Sequence, residues 1–334
     1  MSIKVGVIGC GWVADACHGP AYIKYASQHP DIELTACCDI DSAKVERFQE
    51  KFGFKRSYTD YFQMLDEEKP DAVCLTVPER LICEAGCKIL ARGIPLLCEK
   101  PPGLTVTEID RLISAARASR VIHLVAFNRR FTPLVAELKH RVEGQAIHHI
   151  HYEFTRVGRG KEDFSTTAVH AIDTVRYLVG SDYRSVRFHY QELPGEGQKV
   201  TNTLMDCTFG SEATASINIK PVAGVNIERA ILHLLDNTYI LHCNNGPDAP
   251  GRLLHYQKGQ LLYDISGADY AGSREDFMLN GFYAENASFF EAVRSRTQPV
   301  HDFQSCRQSV ELMQSMRERK LAYHSRSPRN GDIS

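Results

Sequence analysis

Three features predict an α/β chain of two domains, a doubly wound parallel sheet followed by an α+β domain with a large, open, mostly antiparallel sheet. The chain opens on a run with β-branched Ile3, Val5, Val7 and Ile8, which breaks into Gly9-Cys10-Gly11 and then, three places on, Ala14. Up to residue 127, strand-like runs alternate with helical segments, the rhythm of parallel βαβ units. From Val186 onward the rhythm becomes strands separated by tight turns. At 334 residues the chain is also longer than one typical core, since about 150 residues per domain is the prior. The expected division is 1–127, 128–324 and a polar, disordered tail at 325–334.

Taken in order, Ile3 to Ile8 is the first strand, and G-x-G-x-x-A after it is the phosphate-binding turn of a Rossmann-type fold. Gly9 permits the tight turn, Gly11 lets the backbone approach a pyrophosphate, and Ala14 lets the next helix sit close to the sheet with its free N–H groups aimed at the phosphates. Gly9, Gly11, Trp12 and Val13 are assigned to the cofactor. Residues 12 to 28 carry Ala14, Ala16, Tyr22 and Ala26 on a helical pattern that ends at His29-Pro30-Asp31. Glu33 to Asp39 is the second strand, and an acidic residue at its end can accept both ribose hydroxyls of an adenosine. The competing role for Asp39, capping the helix Ser42 to Phe52, can be filled by Asp41 or Ser42.

A short element at Arg56 to Tyr58 and a helix from Tyr61 to Glu67 lead to the strand Asp71 to Val77, stopped by Pro78. Glu79 to Arg92 is a helix closed by Gly93, and Pro95 to Cys98 is a strand that runs into Glu99-Lys100-Pro101. Thr105 and Glu108 form a capping box for a helix to about Ala118, and residues 121 to 127 complete the sheet. Lys100 thus falls at the carboxyl end of a parallel strand, where open α/β sheets bind ligands.

Bulk properties narrow the partners. The composition is 43% hydrophobic and 24% charged with a net charge of −2, which gives no electrostatic reason to expect nucleic acid or an anionic membrane. No run of about 18 apolar residues is present to span a bilayer, and nothing resembles a secretory leader. The 11 cysteines, an odd number, lie mostly in apolar patterns, as free thiols do in a reducing cytoplasm. Cys83 and Cys87 are one helical turn apart, but with no second pair nearby they read as buried thiols, and no metal is expected.

The combination of G-x-G-x-x-A, the strand ending in Thr76-Val77-Pro78, the helix closed by Gly93, and Cys98-Glu99-Lys100-Pro101 resembles the glucose-fructose oxidoreductase, inositol dehydrogenase and rhizopine-catabolism (Gfo/Idh/MocA) family. The resemblance covers essentially the whole chain and is strongest over the first 130 residues. It implies that Lys100 contacts substrate and nicotinamide as part of the catalytic apparatus, with Glu99 supporting the turn and Pro101 shaping it. Thr76, Pro78, Glu99, Lys100 and Asn128, the last in the segment Asn128 to Pro133 at the domain junction, are the further cofactor residues it implies. One departure is Ile82, where many members carry histidine.

In the second half, Leu134 to Glu143 reads as a helix and Ile147 to Val157 as a half-buried strand, whose His148, His149 and His151 do not all share a face. Ser165 to Gly180 suits an amphipathic helix, with His170 and Asp173 three apart. The resemblance implies that His170 exchanges a proton with the substrate hydroxyl and that Asp173 holds position beside it. Thr166 departs from the aspartate that many members place four residues before the histidine, and the usual glycine-rich lead-in is replaced by the basic loop Arg156 to Asp163. There Arg156, Arg159 or Lys161 either meets an anionic group on the substrate or simply lies in a solvated loop. Strands follow at 186–193, 201–209, 212–220, 226–235, 239–243, 253–256 and 260–263, with turns at Gly210-Ser211, Asp236-Asn237 and Lys258-Gly259. Helices at 283–296 and 303–320 close the chain.

The expectation is a cytoplasmic NAD(P)-dependent oxidoreductase that interconverts alcohol and ketone, or hemiacetal and lactone, on a sugar, sugar derivative or cyclitol. Lys100, His170, Arg156 and Asp173 form its substrate side, with Lys100 and His170 catalytic. Asp39 tilts the cofactor toward NAD, while Lys44 and Arg47 keep NADP open. Family resemblance implies a homodimer or homotetramer through the second sheet. The alternative is a catalytically inactive, dinucleotide-binding sensor of the same fold, which Thr166 favours and the retained Lys100 and His170 oppose.

Overall fold

The computed structural model describes residues 2–160, 163–193, 200–246 and 249–325. In chain order the elements are β1 (Ile3–Ile8), α1 (Gly19–Gln28), β2 (Ile32–Cys38), α2 (Ser42–Phe52), β3 (Arg56–Tyr58), α3 (Tyr61–Glu68), β4 (Ala72–Leu75), α4 (Glu79–Ala91), β5 (Leu96–Glu99), α5 (Val106–Ser119), β6 (His123–Ala126) and α6 (Pro133–Val142). They continue with β7 (Ile147–Thr155), α7 (Ser165–Val179), β8 (Tyr183–Glu192), β9 (Thr201–Phe209), β10 (Thr214–Lys220), β11 (Ile227–Leu234), β12 (Asn237–His242), β13 (Arg252–Gln257) and β14 (Gln260–Ser266). The last are α8 (Gly267–Ala271), α9 (Asp276–Leu279), α10 (Phe282–Ser295), α11 (Phe303–Arg317) and β15 (Ala322–His324). The chain divides into two compact units, 1–132 with 273–310, and 133–272 with 311–334.

The first unit holds a six-stranded parallel sheet in the order β3-β2-β1-β4-β5-β6. Because β1, β4 and β5 are neighbours running the same way, the residues that follow them, Gly9, Thr76 and Lys100, lie along one carboxyl edge. Strands buried on both faces need apolar residues throughout, and Ala72 to Leu75 and Leu96 to Cys98 are each 0% exposed. The sequence expectation placed everything after residue 127 in a second domain, and the structure corrects it. Phe289 and Phe290 of α10 are fully buried in the same core cluster as Val5 and Val7 of β1, Tyr22 and Tyr25 of α1, and Phe48 and Phe52 of α2. Periodicity alone makes α10 amphipathic but does not say which core its stripe fills.

The second unit is a nine-stranded sheet in the order β14-β13-β12-β11-β7-β10-β9-β8-β15. Only the β7–β10 pair is parallel; the rest run antiparallel. Ala230, Tyr152, Ile217, Met205 and Phe188 stand opposite one another on successive strands and are all buried, so one face carries a continuous apolar stripe. α7 packs on β7 and β10 over that face, burying Val169, Ile172, Val175 and Leu178. It ends at Gly180 in the left-handed conformation (φ +70°). At the β13–β14 hairpin, Lys258 and Gly259 both have positive φ (50° and 82°), as a two-residue primed turn requires.

The sequence reading did not foresee β15, which pairs with β8, nor the short helices α8 and α9. α11 ends at Arg317 rather than near residue 320. Of the expected tail, residues 326–334 lie outside the described residues. No helix among the described residues is long and apolar enough to cross a membrane.

Candidate active site

Gly9 has φ +97°, and a Cβ there would lie 2.6 Å from the Thr76 carbonyl oxygen, so the close approach of β1 and β4 admits only glycine. Thr76 reinforces this contact, its hydroxyl donating to Gly9 O at 2.6 Å and its N–H to Ile8 O at 2.8 Å. Gly11 is different, since a Cβ on it would meet nothing within 4 Å. The protein itself does not fill the space over Gly11, as a turn that receives a pyrophosphate requires. Asp15 N–H reaches back to Gly11 O at 2.9 Å, which puts the N–H groups of Gly11, Trp12 and Val13 in the first helical turn, where no i−4 carbonyl exists. Ala14 is 0% exposed and Trp12 is 77% exposed.

The helix after the turn is not regular. Ala14 to His18 form a π-helical turn before α1, a departure that hydrophobic periodicity gives no sign of and that recurs at functional sites.

Asp39 follows β2 and is half-buried. Its Oδ2 accepts from Cys10 N–H at 2.8 Å and its Oδ1 from Asp41 N–H at 3.0 Å. The carboxylate is therefore pinned against the glycine turn with lone pairs left for a ribose. The cap of α2 is Asp41, which accepts from Lys44 N–H. Lys44, one of the two cations that keep NADP open, sits 3.4 Å from the Asp41 carboxylate.

Glu99 ends β5 at 9% exposure. Its Oε2 accepts from Lys100 N–H at 3.0 Å and its Oε1 is 2.8 Å from His18 Nε2. Burial alone would raise the carboxyl pKa, but the His18 hydrogen bond and the Lys100 charge and N–H hold it below the ordinary carboxylate value. Lys100 is half-buried and its bond to Pro101 is cis. Pro78 stands at the amino-terminal cap of α4. The residues at this carboxyl edge suit a dinucleotide: open space over a helix amino end for the phosphates, and an anchored carboxylate at the end of β2 for a ribose.

In the second unit, His170 and Asp173 lie on α7 at 6% and 1% exposure. The helix begins where the Ser165 hydroxyl and N–H both donate to Asp163 Oδ1, at 2.6 and 3.1 Å, and Asp163 is held by Arg317 at 2.9 Å. Thr166 donates to Asp163 O at 3.0 Å, which satisfies its hydroxyl within the first turn. Arg159 Nη2 lies 3.2 Å from the Thr167 hydroxyl, and Lys161 lies outside the described residues.

Two of the expected site residues also have partners within the protein. Arg156 pairs with Glu228 at 2.5 Å, donates to the carbonyls of Thr155 and Ile227, and stacks on Phe154 at 3.8 Å. Glu228, 8% exposed, needs that cation and the Tyr152 hydroxyl at 2.9 Å, which gives Arg156 a structural role in the sheet. Asn128 is 2% exposed, its amide donating to Asn280 O at 2.8 Å and its Oδ1 accepting from Arg129 at 3.2 Å. Those bonds tie it to the turn before α10.

The sequence reading missed a buried polar group behind the E-K-P turn. His18 and Asn286 are each 0% exposed, and Asn286 Nδ2 lies 2.9 Å from His18 Nδ1. Beside it Glu285, also 0% exposed, has no hydrogen-bond partner for either carboxyl oxygen among the described residues. Burial first, and then the Glu99 charge, push its pKa well above the ordinary value. The only trace in the sequence is two polar residues on the same helix as Phe289 and Phe290.

Residues 3–127 match the sequence profile described as oxidoreductase family, NAD-binding Rossmann fold (GFO_IDH_MocA). The chain is 24% identical over 256 residues to the inositol 2-dehydrogenase of Salmonella paratyphi B, covering 73% of this chain and 71% of that one. It is 25% identical over 262 residues to the D-glucoside 3-dehydrogenase of Escherichia coli, covering 67% and 74%. Among solved structures, levoglucosan dehydrogenase in complex with NADH and levoglucosan superposes with a TM-score of 0.83 over 98% of this chain and 100% of that one, at 18% identity, a likeness of fold. Residues 3–127 thus match that family's NAD-binding Rossmann domain, and the relatives and the shared fold support a Gfo/Idh/MocA oxidoreductase.

Proposed function

We propose that this protein is an NAD-dependent dehydrogenase that interconverts alcohol and ketone, or hemiacetal and lactone, on a sugar, sugar derivative or cyclitol. The observation that carries the reading is the carboxyl edge of the parallel sheet, where the open space over Gly11, the anchored Asp39 and the Glu99-held Lys100 follow β1, β2 and β5. The relatives named above are dehydrogenases of inositol, a glucoside and levoglucosan, which supports a polyhydroxylated substrate and gives the inactive-sensor reading no support.

Bound NAD supplies the hydride acceptor. The protein's part is to orient the carbinol carbon, exclude water, take up the hydroxyl proton and stabilise the developing alkoxide. In this reading Lys100, as an ammonium, stabilises the oxygen. His170 takes the proton, with Asp173 keeping its place on α7, and Arg159 is the remaining described basic residue of the loop before α7. NAD is preferred to NADP because a 2′-phosphate would meet the Asp39 carboxylate. The reading also carries a cytoplasmic homodimer or homotetramer joined through the face of the second sheet opposite α7.

The test is steady-state oxidation of myo-inositol, glucosides and levoglucosan by the unmodified chain and by Lys100→Met and His170→Ala. The expected outcome is a loss of kcat of about 100-fold or more for each, the scale of a general acid–base or electrostatic group. Retention of kcat in both would refute the assignment.

A further inference from the structure

We propose that His18, oriented by Asn286, is a positioning residue for Lys100 that acts through Glu99; this rests on the role given to Lys100 in the preceding reading. The chain of contacts is continuous and buried. Asn286 Nδ2 lies 2.8 Å from the carbonyl oxygen of Phe282 and 2.9 Å from His18 Nδ1. The first distance identifies the nitrogen end of the amide, since a carbonyl accepts and cannot donate. That nitrogen therefore presents its second N–H to His18 Nδ1, which must be the unprotonated ring nitrogen. The proton of the imidazole is left on Nε2, 2.8 Å from Glu99 Oε1, and Glu99 spends its other oxygen on the Lys100 backbone N–H at 3.0 Å. The ring is held by Phe282, edge-on at 5.1 Å, and by Tyr22, stacked at 5.9 Å.

The π-helical turn gives this contact its purpose. Ala14 to His18 is the stretch that follows the glycine turn, so the element that receives the cofactor phosphates also carries the imidazole that fixes Glu99. A carboxylate bonded at only one oxygen could rotate, and with it the root of the Lys100 side chain. Bonded at both, it holds the lysine and keeps a negative charge beside it. The groups facing Glu99 are Cys17 and His18 on the π turn, Tyr22 on α1, Cys98 and Lys100 on its own segment, and Glu285 on α10; Arg129 and Asp276 act on the same cluster. Among the described residues on other elements, His18 is the one that hydrogen-bonds Glu99.

The test titrates Lys100 directly. Lysines of the full chain are reductively 13C-methylated and followed by NMR against pH, the Lys100 signal being identified by its loss in Lys100→Arg. In His18→Leu, Glu99 loses its donor, a buried carboxylate becomes less favourable, and the ammonium loses part of its counter-charge. The Lys100 midpoint should fall by about one pH unit. His18→Gln, whose amide can donate in place of Nε2, should restore most of it.

An unshifted midpoint in His18→Leu overturns the proposal, and so does an equal shift in both variants, which would assign the effect to packing. If His18→Leu does not fold, the 15N spectrum of the unmodified protein decides. His18 protonated at Nε2 supports the proposal, and protonation at Nδ1 alone overturns it. None of these readouts needs turnover, so an inactive chain whose Lys100 midpoint responds would refute the dehydrogenase reading while leaving the positioning role intact.

Discussion

Replacing Asp39 by asparagine should nearly erase the preference for NAD over NADP. Asparagine suits the question because its Oδ1 can still accept from Cys10 N–H, one of the two backbone bonds that anchor the native carboxylate at 2.8 and 3.0 Å. Alanine would release the glycine turn as well. Hydrogen bonds to a charged acceptor contribute about 1.5–3 kcal/mol each and neutral ones about 0.5–1.5, so loss of the charge should weaken NADH by about 1–3 kcal/mol, roughly 5- to 150-fold in Kd.

NADPH should gain. The bare Coulomb energy of two unit charges 4 Å apart is about 4 kcal/mol at an effective dielectric of 20, but Asp39 is half-exposed and screening leaves nearer 1 kcal/mol. The preference ratio should therefore fall by about 100-fold. The only tryptophan in the chain, Trp12, lies in the phosphate turn and is 77% exposed, so its emission reports cofactor titration. Tighter NADPH than NADH binding by the unmodified chain, or a ratio unchanged in Asp39→Asn, would refute the reasoning.

Three further substitutions probe the account. Thr166→Asp puts a carboxylate one helical turn before His170, which should raise the histidine pKa and move the alkaline rise of kcat/KM up by about one pH unit or more; an unmoved profile would remove His170 from the proton path. Glu285 has a raised pKa when folded, so its contribution is fully present below the unfolded carboxylate pKa, about 4.3, and is lost as pH rises through the folded one. In that window the unmodified protein should lose about 1.4 kcal/mol per pH unit from this group. In denaturant melts Glu285→Gln should flatten the slope, and equal slopes would contradict the burial argument. Arg156→Met strands the buried Glu228 carboxylate and should cost about 3–5 kcal/mol of stability, with KM for acidic and neutral substrates altered alike; a selective loss for acidic substrates would return Arg156 to the substrate.

The parallel sheet was legible in the sequence because most of its strands are short, largely apolar runs bounded by a turn residue, and Gly9, Asp39 and Glu99-Lys100 each mark the carboxyl end of one. The antiparallel strands announced themselves by alternation, as Ile150, Tyr152 and Phe154 do on β7. What stayed hidden depends on contacts distant in sequence. Nothing local says that Phe289 and Phe290 belong to a core begun at Val5, or that Arg156 is matched to Glu228 some seventy residues away. His18 was illegible for a further reason, because the π turn shifts the residues after Ala14 off the regular helical register.

The central claim is tested most directly by screening sugars, sugar acids, nucleotide sugars and cyclitols with NAD and following the absorbance of the reduced cofactor. The account predicts that at least one polyhydroxylated compound is oxidised with NAD in preference to NADP, and that Lys100→Met abolishes this while Trp12 still reports NADH binding. Tight cofactor binding without turnover on any compound of the panel, with either cofactor, would contradict it and mark the protein as a dinucleotide-binding regulator.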